Sequence, residues 1–99
     1  MEPAQAIQAL DLVVARVTGA QAHSGARGQS ALLTLDLGGR GTAETALPIP
    51  LEGAESLVGD QVVCAVGSDD VVVLAVHSHA AGIVVVQPAQ EVEDGSPVA

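Results

Sequence analysis

Apolar residues recur along the chain in short runs, and Gly, Ser or Asp falls between the runs. This spacing predicts many short strands rather than a few long helices. The clearest run is SALLTLDL at residues 30–37. There Ala31, Leu33, Leu35 and Leu37 share one face, and Ser30, Thr34 and Asp36 point to the other, as a half-buried strand requires. LDLVVARVT (10–18) precedes it, and Gly38, Gly39 and Gly41 mark the turn that follows. TAETALPI (42–49) is a weaker strand that runs into Pro48 and Pro50, which suits a strand end or an edge. GAESLVG (53–59) reads as one short helical turn closed by Gly59. DQVVCAV (60–66), VVVLAV (71–76) and IVVVQ (83–87) are three further strands, and GSDD (67–70) is a tight turn between the first two. Residues 1–9 form an N-terminal extension, either a short helix or disordered, and the polar tail 88–99 is expected to pack loosely along the barrel.

Ninety-nine residues make one domain, with no repeat, linker or second unit. Five to six short strands with one helical turn before the fourth fit an all-β fold, the small Greek-key barrel known as the OB-fold. Phe, Tyr and Trp are absent, so the core must be built from Val, Leu, Ile and Ala. The Val-rich run 71–76 lacks polar alternation, which implies burial on both faces. A barrel has one inner face, so the outer one calls for a partner, and a homodimer is the economical choice.

Charge changes the picture more than composition does. The chain carries a net charge of -9, has no lysine, and has only Arg16, Arg27 and Arg40 as cations. Residues 41–99 hold nine carboxylates and neither Lys nor Arg. Such a surface repels phosphate and disfavours an anionic membrane. RNA binding needs cations for phosphates and flat groups for base stacking, and here no ring other than histidine is available. Arg16, Arg27 and Arg40 are the candidate nucleic-acid-binding residues, with Arg27 and Arg40 flanking the second strand.

The remaining chemistry is sparse. His77 and His79 lie in an apparent loop with no third ligand nearby in sequence, and with His23 they give no expected metal site. Cys64 reads as a buried structural cysteine. A single cysteine forms no internal disulfide, which fits a reducing, cytoplasmic setting. GGRG lacks the Lys-Ser/Thr ending of a phosphate loop and reads as a turn. EVEDG lacks calcium-loop spacing and reads as a solvated acidic tail. No nucleophile is paired with a base, so neither an enzyme nor a cofactor is expected. The longest apolar run is far short of a membrane span, and MEPAQAIQAL is not a signal peptide.

LDLVVARVTGAQ resembles the opening LDIRVGRI strand of the EMAP-like tRNA-binding domain family. ARGQSALLTLDLG resembles the ARKPAYKLxIDFG strand of the CsaA-type export chaperones within that family. ESLVGDQVVCAV is similar to the family's EDLIGRQVVAVV, and the run from Val71 to Ser96 is similar to its ending. The resemblance extends from about Leu10 to Val98. It implies an OB-fold, a homodimer, binding of tRNA or of unfolded or exported polypeptide, and no enzymatic activity. The departures fall on the RNA-contact positions. The family's early Arg falls on Val13, its Lys and Pro on Gly28 and Gln29, its Tyr on Ala31 and its next Lys on Leu32, while Arg27 is kept. A long stretch between its last strands is replaced by GSDD. The expected function is therefore a homodimeric, chaperone-like module that binds polypeptide, with RNA binding weakened or lost. The alternative is a minimal tRNA or single-strand binder using Arg16, Arg27 and Arg40.

Overall fold

The computed structural model describes residues 2–23 and 28–99. A first strand, β1 (Leu12–Ala22), is long and bulged between Val17 and Gly19. The bulge lets it serve two neighbours. Residues 16–22 pair antiparallel with β2 (Ala31–Asp36), and residues 12–16 pair with β4 (Gln61–Val66). β2 pairs on its other side with β3 (Thr42–Leu47), and β4 with β5 (Val71–Val73). The sheet order is β3-β2-β1-β4-β5. Thr45 on β3 donates its hydroxyl to the Val71 carbonyl on β5 at 2.6 Å, which nearly closes the barrel. The result is a small, all-β, OB-like barrel.

The interior follows the predicted alternation. Ala31, Leu33 and Leu35 are fully buried on β2 and meet Val13, Ala15 and Val17 of β1 and Val62 and Cys64 of β4. A helical turn, α2 (Leu51–Glu55), follows Pro50 and buries Ala54 against this core. It starts before the expected 53–59 segment because Pro50 supplies a natural helix start. A second helix, α1 (Pro3–Ala9), replaces the open choice at the N-terminus. It begins on Pro3, with the Glu2 N–H donated to Gln5 Oε1 at 3.3 Å, and it buries no residue.

Two expectations need correction. The run 71–76 is not one strand. It breaks at Leu74, whose N–H turns to the Val63 carbonyl at 2.9 Å. The chain then forms a separate hairpin of β6 (Ala75–Ser78) and β7 (Gly82–Val85). His77 therefore sits on a strand opposite Ile83, not in a loop, and only His79 lies in the turn. Burial also falls on one face of this run: Val71 and Val73 are buried, whereas Val72 and Val76 are each 55% exposed.

The tail is the second correction. It does not pack loosely. Residues 95–98 occupy the edge of β1 that β2 leaves open, through Val14 N–H to Ser96 C=O (2.9 Å), Gly95 N–H to Val14 C=O (2.6 Å) and Val98 N–H to Leu12 C=O (2.9 Å).

Candidate functional site

Arg16 points outward from β1, directly across from Gln61 on β4. These two side chains hold the C-terminal segment. Gln61 is buried, donates to the Val92 carbonyl (2.6 Å) and to Asp94 Oδ1 (2.8 Å), and accepts from the Val92 N–H (3.0 Å). Arg16 Nη2 lies 2.7 Å from Glu91 Oε1, its Nε lies 3.2 Å from Asp94 Oδ1, and its Nη1 donates to the Gly59 carbonyl at 2.7 Å. The EVEDG segment is thus a docked strap, not a solvated tail. Sequence spacing could not have shown this, because the partners lie 78 and 33 residues apart.

Arg40 ends the 3-10 turn Gly38–Arg40 and is likewise committed. It forms a two-pronged pair with Asp11 at the start of β1, Nη1 to Oδ1 at 2.8 Å and Nη2 to Oδ2 at 2.5 Å. Bidentate pairing fixes the guanidinium plane as well as its charge. Arg27 lies outside the described residues. Of the three candidate arginines, the two described ones are each engaged by carboxylates of their own chain, and the structure does not bring them onto a shared partner.

These contacts set the acid–base behaviour. The hydrogen bond from Gln61 and the adjacent Arg16 hold the Asp94 carboxyl below the ordinary carboxylate range. Hydrogen bonding from Arg40 does the same for Asp11. Burial pushes the Cys64 thiol up, and its Sγ lies 3.6 Å from the Val13 carbonyl. A carboxylate whose folded-state pKa is depressed adds stability above its unfolded pKa, and loses it as pH falls through the folded value. Asp94's contribution to tail docking should therefore be whole at neutral pH and be lost only as pH falls below the ordinary carboxylate range. Amide exchange of Val98 across pH 3–7 checks this, and Asp94→Asn should flatten that dependence relative to wild type.

A concave feature of another kind lies elsewhere. A groove of about 580 Å³ runs between α2 and the β6–β7 hairpin. One wall is Pro48, Ile49, Pro50 and Leu57, and the other is the β7 strand itself, from Ala81 to Val85. Gly53 lines the floor without a side chain. No charged side chain lines the groove among the described residues, but Glu52 and Glu55 stand exposed on α2, the helix along one side of it. The family resemblance implies an apolar groove for polypeptide, but the sequence could not place it, because its two walls come together only once the hairpin has left the barrel at Leu74.

His23 Nδ1 lies 3.1 Å from the Ser30 hydroxyl. Among the described residues no three His, Cys, Asp or Glu side chains gather as a metal site would need, and no helix is long and apolar enough to cross a membrane.

No family model and no curated protein matches the sequence. Solved structures do resemble it. The chaperone CsaA from Bacillus anthracis is 25% identical, with a TM-score of 0.81, covering 100% of this chain and 99% of that one. The CsaA chaperone protein from Picrophilus torridus superposes with a TM-score of 0.83 at 15% identity, over 100% of both chains. A MetRS related protein from Pyrococcus horikoshii gives 0.81 at 14% identity, covering 100% of this chain and 98% of that one. The last two share the fold. The Bacillus chaperone adds sequence identity across the whole length, in support of the CsaA-type resemblance.

Proposed function

We propose that this chain is a non-enzymatic, CsaA-type binding module that acts as a cytoplasmic homodimer, holds polypeptide, and has lost most of its capacity for RNA. One observation carries the reading: Arg16 and Arg40 are spent on internal carboxylates, while an apolar groove stands open between α2 and the β6–β7 hairpin. An anionic ligand would have to displace Glu91 and Asp94 from Arg16, and Asp11 from Arg40, against a chain charge of -9. An apolar polypeptide meets no such competitor. The dimer surface in this reading is made of the exposed Val72 on β5 and the exposed cross-strand pair Val76 and Val84.

The groove reading has a direct test. A Cβ on Gly53 would meet Ile49 Cδ1 at 3.8 Å and Pro50 Cγ at 4.0 Å, ordinary contacts that leave the backbone undisturbed. Gly53→Phe should therefore fill the groove floor without unfolding α2, since replacing a helical glycine removes backbone freedom from the unfolded chain. Binding of a labelled, reduced and unfolded polypeptide should weaken by about tenfold or more, with no loss of melting temperature. Unchanged binding would move the polypeptide site away from this groove.

A further inference from the structure

The β7 wall of the groove is a strand edge. Among the described residues the hairpin sheet has two strands, so β7 is paired there on the β6 side only. Val86 continues the register and donates its N–H to the Leu74 carbonyl at 2.9 Å. Antiparallel ladders alternate, so Val84 exchanges hydrogen bonds with its partner Val76, while the main-chain groups of Ile83 and Val85 face the opposite way. Among the described residues, no hydrogen bond uses those groups of Ile83 or Val85. Both residues line the groove. The facing wall cannot complete the ladder. Pro48 and Pro50 have no N–H, and the Ile49 N–H is already donated to Leu47.

We propose that the polypeptide held in this groove lies extended and adds a strand to β7, bonding the main-chain groups of Ile83 and Val85. This rests on the groove being the polypeptide site. An unpaired edge beside an apolar trough is the geometry of strand addition: backbone bonds hold the segment, and alternate side chains settle on Ile49 and Leu57. Charge complementarity selects the occupant. Glu52 and Glu55 stand exposed on α2, the helix along one side of the groove, and no Lys or Arg occurs after residue 40. A second copy placed edge to edge would bring two such helices together, whereas a segment that alternates apolar and cationic residues meets them favourably.

The test uses the whole chain and a short synthetic peptide of alternating valine and lysine, with two derivatives. One is N-methylated at the valine amides and the other at the lysine amides. Only one set of amides can face β7, so one derivative should bind at least about tenfold more weakly and the other should match the parent. The parent peptide should also slow amide exchange at Ile83 and Val85. If both derivatives bind like the parent, the groove holds side chains only and strand addition is wrong. If the Ile83 and Val85 amides are protected in the free protein in a concentration-dependent way, a second copy occupies the edge and the proposal fails. If no peptide binds at all, the polypeptide reading of the groove falls with it.

Discussion

Gly38→Ala should destabilise the protein by about 2–4 kcal/mol and release the C-terminal strap. Gly38 sits at φ +66°, where a side chain is already strained. A Cβ there would also overlap the carbonyl oxygen of Asp94. The contact is reciprocal: Gly95, at φ +89°, lies so close that its own Cβ would overlap the Leu37 carbonyl. The turn after β2 and the tail therefore fit only as glycine against glycine. Relief requires the tail to withdraw, which also costs the bonds from Arg16 and Gln61 to Asp94. Gly39→Ala is the matched control, because its Cβ would meet nothing within 4 Å. It should stay within about 0.5 kcal/mol of wild type. Denaturant melts of the two variants, with amide exchange at Val98, separate the outcomes. Equal stability of the two would mean that the strap is not held by this contact.

Leu33→Ala should cost about 3–5 kcal/mol, a large share of the roughly 5–15 kcal/mol that a domain of this size commands. Leu33 is fully buried at the centre of β2, and only Leu35 matches it in size among the fully buried side chains. A core built without aromatic rings has few large groups that could shift into the space. The cavity should stay open and the cost should lie toward the upper end of the range. A loss below about 1.5 kcal/mol in a urea melt would show that the small side chains around Leu33 collapse inward instead.

The barrel was legible because its strands carry local signals. Ala31, Leu33 and Leu35 alternate with polar or outer positions as period two demands, and all three are buried. The GSDD turn also needed only its own residues, closing with Gly67 N–H on the Asp70 carbonyl at 2.8 Å. Leu74 gave no such signal. Six consecutive apolar residues look like one strand, and the break there is set by Val63 and Val86, which lie elsewhere in the chain. The site was harder for the same reason. Counting three arginines against twelve acids suggested weak RNA binding, but not which carboxylates engage which arginine. Those partners are fixed by the course of the tail and by the approach of Asp11 to the 3-10 turn. The apolar excess of 71–76 was read as burial on both faces. Its outer half is instead an exposed valine patch beside a groove.

The central claim is that this barrel holds polypeptide rather than RNA. It is tested most directly by titrating the purified protein, side by side, into labelled unfolded polypeptide and labelled bulk tRNA, at low salt and near physiological salt. The account predicts polypeptide binding that persists near physiological salt, and tRNA binding that is weak at low salt and absent near physiological salt. Firm tRNA binding at low salt that declines steeply as salt rises, with no polypeptide binding in either condition, would contradict it. That result would make this a minimal RNA-binding domain in which phosphate displaces the carboxylates from Arg16 and Arg40.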